Sequence, residues 1–77
     1  MSTLVFYTTE GCHLCEYADE MLSWLQSQRE VVVERVDIAS DARLVELYGL
    51  TIPVVKNAAT GEELNWPFEA EQLLNLF

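Results

Sequence analysis

Cys12-His13-Leu14-Cys15 holds the only two cysteines of the chain, with two residues between them. Thiols at this spacing can close a disulfide within one helical turn. The motif lies between a strand-like run, Thr3 to Thr8, and a helix-like run that starts near His13. A thiol at a helix start sees unpaired N–H groups and the positive end of the helix dipole, and both favour the thiolate. Since the thiolate is the form that attacks disulfides, the pattern points to thiol–disulfide chemistry. A closed zinc site wants four ligands, and the chain has no Cys or His beyond Cys12, His13 and Cys15, so no metal is expected. Haem attachment requires a histidine directly after the second cysteine, where Glu16 stands. Nothing in the sequence points to an iron-sulfur cluster shared between subunits.

The elements that must position these thiols can be read from periodicity. Thr3 to Thr8 is β-branched, aromatic and almost continuously apolar, as in a strand buried on both faces. Glu10-Gly11 breaks that pattern. From Leu14 the apolar residues Tyr17, Ala18, Met21, Leu22 and Leu25 recur at the spacing of one helical face, which predicts a helix from about His13 to Gln28. Val31 to Val36 reads as a second strand with Asp37 at its end. Ser40 is the expected cap, and Asp41 a first-turn acid, of a helix carrying Leu44, Val45, Leu47 and Tyr48 that Gly49 terminates. Val54-Val55-Lys56 and Glu62 to Asn65 form a hairpin around the turn Asn57 to Gly61. Its charged edge strand discourages sheet extension. After Trp66-Pro67-Phe68 comes a last helix, with Glu69 and Glu71 near its positive end and Leu73, Leu74, Leu76 and Phe77 for apolar contact. The order is β-α-β-α-β-β-α. A right-handed parallel crossover followed by an antiparallel hairpin gives an α/β, thioredoxin-like, three-layer fold: a four-stranded mixed sheet with helices on both faces.

Composition narrows the function classes. At 77 residues, half of them hydrophobic, the chain (residues 1–77) reads as one domain with a modest core. No stretch approaches the ~20 apolar residues of a membrane helix, and the N-terminus, beginning with Met1, lacks the pattern of a secretory signal. A soluble cytoplasmic protein is expected, where two cysteines are catalytic or metal-binding more often than a structural staple. The formal charge is −9, with Arg29, Arg35, Arg43 and Lys56 against thirteen acids. That balance repels phosphate backbones and argues against a nucleic-acid partner.

Tyr7-Thr8-Thr9-Glu10-Gly11-Cys12-His13-Leu14-Cys15, with Thr51-Ile52-Pro53 farther along, resembles a glutaredoxin-like member of the thioredoxin superfamily. More narrowly, Cys-His-Leu-Cys-Glu with Tyr-Gly-Leu and Glu-Leu-Asn-Trp-Pro-Phe is similar to a group of small bacterial glutaredoxin-like proteins. The resemblance spans essentially the whole chain. It implies that Cys12 is the exposed nucleophile and Cys15 the buried resolving thiol that releases a mixed disulfide. It also implies that Pro53 follows a cis bond, and that Thr51, Ile52 and Pro53 form the substrate-binding edge, with the Ile52 backbone offered to an extended substrate. Familiar glutaredoxins differ here: they resemble Cys-Pro-Tyr-Cys, often with a lysine close before it, and carry a Gly-Gly-like turn with an acid that holds glutathione. This chain has Glu10, His13-Leu14 and Gly61-Glu62-Glu63-Leu64 instead. Its acidity weighs against holding an anionic tripeptide.

Two roles stay open for His13: when protonated it stabilises the Cys12 thiolate, against the opposing Glu10 and Glu16, or it is an exposed spacer. Trp24, Trp66 and Phe68 are expected to cover a small core rather than form a recognition surface. Asp37 ends its strand or, less expectedly, relays protons from Cys15. The primary expectation is a monomeric dithiol–disulfide oxidoreductase acting on a disulfide-containing protein or small molecule. It needs no bound cofactor, and glutathione or a thioredoxin-system reductant supplies electrons. The competing reading is a thioredoxin-fold binding module whose cysteines are inactive or regulatory.

Overall fold

The computed structural model describes residues 2–76. Strand β1 (Ser2–Thr8) leads into helix α1 (His13–Gln28), strand β2 (Val31–Asp37), a 3-10 turn (Ile38–Ser40), helix α2 (Ala42–Tyr48), strands β3 (Val54–Asn57) and β4 (Glu63–Asn65), and helix α3 (Ala70–Leu74). The strands form one sheet in the order β2-β1-β3-β4. β1 and β2 are parallel, with Leu4 opposite Val33 and Phe6 opposite Arg35. β3 runs antiparallel to β1, placing Val55 opposite Phe6, and β4 closes the hairpin with Leu64 opposite Val55. The fold is therefore α/β and thioredoxin-like, with a mixed four-stranded sheet.

Alternation along β1 sends Leu4 and Phe6 to one face, where both are buried. There they pack with Ala18, Leu22 and Leu25 of α1, Val55 of β3, and Leu73 and Leu76 at the C-terminal end. Each of the Leu, Phe and Val side chains contributes roughly 1.5–3 kcal/mol relative to exposure. Phe77, expected to join them, lies outside the described residues.

The other face is thinner than the apolar run suggested. Thr3, Val5 and Tyr7 are only half-buried. α2 meets this side through Tyr48, has no fully buried residue of its own, and leaves Val45 and Leu47 exposed. A seven-residue helix is too short to bury a stripe against a whole sheet face. What fastens it is aromatic: the rings of Tyr48 and Tyr7 stack with centroids 4.2 Å apart.

The cap of α2 is Asp41, whose carboxylate accepts the Arg43 N–H at 2.9 Å. Ser40 instead closes the 3-10 turn, donating its hydroxyl to the Asp37 carbonyl at 2.7 Å. That turn consumes the first capping residue and passes the helix start to the next one. α3 opens at Glu69, whose backbone N–H donates to the Gln72 side chain at 2.8 Å, half of a capping box. Among the described residues, two peptide bonds are cis, Ile52–Pro53 and Trp66–Pro67.

Candidate active site

Gly11 takes φ +77, a backbone region open mainly to glycine, and so turns the chain from β1 into α1. Cys12 then occupies the N-cap of the 16-residue helix, and its sulfur accepts the Cys15 backbone N–H at 3.1 Å. The Cys15 N–H and the helix dipole act on the same sulfur, and both favour negative charge on it once the disulfide is reduced. Cys15, one turn in, is 3% exposed and packed in the core with Phe6 and Ala18. The two cysteines are joined as a disulfide with Cα atoms 5.2 Å apart. Cys12 is half-buried, touching the core from its edge, so the two sulfurs differ in access.

His13 points outward. Its side chain is 91% exposed and its Nδ1 lies 3.5 Å from Oε2 of Glu16, the next-turn carboxylate. Of the expected substrate edge, Ile52 packs against the same core cluster as Cys12, Pro53 is buried and Thr51 is exposed. The N–H groups of Thr51 and Ile52 both donate to the Tyr48 carbonyl at 3.0 Å. The Ile52 N–H is thus engaged within the chain, and pairing with a substrate backbone would run through its carbonyl.

Three features of this region were not read from the sequence. Thr9 donates its hydroxyl to the Asp37 carboxylate at 3.1 Å, tying the loop before Cys12 to the end of β2. The same Asp37 oxygen accepts the Ala39 N–H at 2.9 Å, so this exposed carboxylate serves as a loop anchor and cap rather than a buried relay from Cys15. Arg35 on β2 is paired with Asp19 on α1, and this hydrogen bond, with the charge of Asp19, raises the already high pKa of the guanidinium against a smaller lowering from burial. Finally, a hollow of about 250 Å³ opens beside the disulfide, and Glu10, Glu16 and Asp19 stand on its walls with Cys12 and Cys15. The acids were visible in the sequence, but their convergence required the β1–α1 turn and the tilt of α1.

Among the described residues, no three Cys, His, Asp or Glu side chains gather as a metal ion would need. No helix among the described residues is long and apolar enough to cross a membrane. Trp66 and Phe68 meet edge to face with centroids 5.2 Å apart over the core, whereas Trp24 is 42% exposed.

The model of the glutaredoxin-like domain family (DUF836) matches residues 3–77. Comparison with curated proteins gives no match. Among solved structures, the chain is similar to target protein XcR50 from X. campestris, with 38% identity over 91% of this chain and 88% of that one and a TM-score of 0.77. It is also similar to protein Ne2328 from Nitrosomonas europaea, with 29% identity over 96% and 88% of the two chains and a TM-score of 0.81. A mutant thioredoxin from Halobacterium salinarum shares 22% identity over 97% of this chain and 70% of its own, with a TM-score of 0.78, a likeness of fold alone.

Proposed function

Because the chain belongs to the glutaredoxin-like domain family (DUF836), we propose that it is a thiol–disulfide oxidoreductase in which Cys12 is the nucleophile and Cys15 the resolving thiol. The observation that carries this reading is the Cys12 sulfur at the N-cap of α1, receiving the Cys15 N–H at 3.1 Å, with Cys15 buried behind it. In the reduced protein the same N–H and helix dipole stabilise the Cys12 thiolate.

The thiolate attacks one sulfur of a substrate disulfide; that S–S bond breaks, and the departing substrate thiolate takes a proton from water. Cys15, deprotonated, then attacks the Cys12 sulfur of the mixed disulfide. The second substrate thiolate leaves and is protonated. The substrate has gained two electrons and two protons, and the Cys12–Cys15 disulfide has formed. An external thiol, glutathione or a thioredoxin-type dithiol, returns the electrons, and no resident cofactor is required. Thr51, Ile52 and Pro53 form the edge that aligns the substrate chain, through the Ile52 carbonyl, and His13 contributes positive charge near Cys12 when protonated. The cycle suits a monomer in a reducing compartment such as the cytoplasm.

Equilibration with glutathione redox buffers spanning about −270 to −120 mV, followed by acid quenching and mass spectrometry, tests the reading. Interconversion of the dithiol and the Cys12–Cys15 disulfide within that span is expected. Failure of the intramolecular disulfide to form at any poise would refute the dithiol mechanism.

A further inference from the structure

The hollow beside the disulfide is continuous in its lining with a second one along the side of α1: Glu16 and Asp19 belong to both, and Glu20 and Arg35 extend the second. Glu10, Glu16 and Asp19 therefore stand around Cys12 and Glu20 lies farther along α1, four carboxylates against one guanidinium already paired with Asp19 and the exposed His13, 3.5 Å from Glu16. The other cations stand elsewhere. Arg29 caps the far end of α1, Arg43 lies by Asp41 on α2, and Lys56 is on β3. On α1, Leu14 within the motif and Tyr17 just beyond it are 45% and 58% exposed, offering apolar contact along the same helix.

Glutathione disulfide carries twice as many carboxylates as ammonium groups, so this field opposes it. A disulfide flanked by lysine or arginine is drawn in. Clefts lined by one sign of charge focus the potential and raise the encounter rate of the opposite sign about 10- to 10³-fold at low salt. We infer that the substrate of this site is a cationic polypeptide, a protein disulfide with Lys or Arg beside its cysteines, seated over the acidic hollow with apolar neighbours against Leu14 and Tyr17. This inference rests on the oxidoreductase reading above. The chemistry is unchanged: the substrate disulfide is reduced by two electrons, Cys12 and Cys15 are oxidised to their disulfide, and a dithiol reductant restores them.

The test uses two peptides of one length, each with an internal disulfide, that differ only in having Lys or Glu beside each cysteine. The uncharged dithiol dithiothreitol reduces each peptide in parallel, and each rate of the reduced protein is divided by that reference to remove differences in intrinsic disulfide reactivity. At ~0.01 M ionic strength, where screening extends over ~30 Å, the Lys peptide is expected to be favoured at least about tenfold, and the preference should collapse at ~1 M. The double variant Glu10→Gln, Glu16→Gln should lose most of it. Equal normalised rates at low salt would overturn the cationic substrate while leaving the oxidoreductase standing. An equal enhancement for cystamine, a small cationic disulfide, would overturn the polypeptide part. If neither peptide is reduced by protein whose Cys12–Cys15 disulfide does cycle with dithiothreitol, it is the oxidoreductase reading that falls.

Discussion

Tyr48 donates its phenolic hydrogen to Oε2 of Glu63 at 2.6 Å while its ring lies stacked on Tyr7. One side chain thereby joins the last residue of α2 to β4 and β1. Its carbonyl also receives the N–H groups of Thr51 and Ile52, so the loop entering Pro53 hangs from the same residue. On a sheet face where α2 buries nothing fully, this junction replaces the missing apolar packing.

Tyr48→Phe keeps the stack and removes the hydrogen bond, for an expected loss of about 0.5 kcal/mol, at the low end of the range because Glu63 is exposed. The pH dependence is more telling. The hydrogen bond to Glu63, followed by burial and the charge of Glu63, raises the phenol above its ordinary range. The folded protein thus prefers the neutral phenol. That contribution is fully present below the unfolded pKa of ~10 and is lost as pH rises past it. Urea unfolding between pH 8 and pH 11 should show wild type declining more steeply than Tyr48→Phe at the alkaline end; parallel declines would contradict the assignment.

Asn57 is the one buried polar side chain among the described residues. Its amide donates to the Leu76 carbonyl at 2.9 Å, and its oxygen accepts the Ala59 and Thr60 N–H groups at 2.8 and 3.3 Å. It ties the hairpin turn to the C-terminal segment. Asn57→Ala should cost about 1–3 kcal/mol by stranding those groups, and Asn57→Asp should recover only the turn contacts. Amide exchange at Ala59 reads the turn contact directly, and exchange at Leu76, whose own N–H donates to the Leu73 carbonyl, reads loosening of the C-terminal segment once Asn57 lets go of it; Asp should restore protection at Ala59 alone.

What could be read beforehand was periodic or paired. The spacing of Ala18, Leu22 and Leu25 gives α1 its bounds, and the Val54–Asn65 hairpin follows from its turn residues. Amphipathicity names the apolar side of α2 but not the area of sheet beneath it, so the exposure of Val45 and Leu47 had no local signature. Asn57 to Leu76, Thr9 to Asp37 and Arg35 to Asp19 are single polar contacts between distant segments, set by register and helix tilt. The cis bond before Pro67 likewise had no signal of its own. At the site, the thiols and the acids were legible as residue types, and their meeting in one hollow was not.

Asp37→Ala removes the cap of the 3-10 turn and the anchor for Thr9, and about 1 kcal/mol of stability should go with them. Asp37→Asn keeps an accepting oxygen and should restore most of it. Equilibrium unfolding of both variants checks this, together with the pH dependence of the rate at which Cys15 releases a mixed disulfide held on Cys12. A proton relay would shift that profile in Asp37→Asn; a loop anchor leaves it in place.

Core and surface leucines should separate cleanly. Leu22, fully buried between α1 and the sheet, is expected to cost about 2–5 kcal/mol as Leu22→Ala, because a cavity is left where the helix cannot collapse. Leu50 is fully exposed, and Leu50→Ala should leave the denaturation midpoint unchanged. A destabilised Leu50→Ala would mean that this residue is covered in solution by something other than its own chain.

The unequal burial of the two sulfurs makes the cysteine variants asymmetric. With Cys15 at the core, Cys15→Ser leaves the Cys12 thiolate able to attack but removes the only thiol placed to resolve the product. Mixed disulfides should therefore accumulate on Cys12 and appear, by non-reducing electrophoresis and mass spectrometry, as stable adducts. Cys12→Ser should form none, because Cys15, on the inner side of α1, is buried in the core. A monothiol reaction with glutathione behaves differently: Cys15→Ser would then retain turnover when glutathione is present. If Cys15→Ser captures no adduct under conditions where the wild-type disulfide cycles, the dithiol pair is cycling without a substrate, and a partner-holding role for the fold becomes the better account.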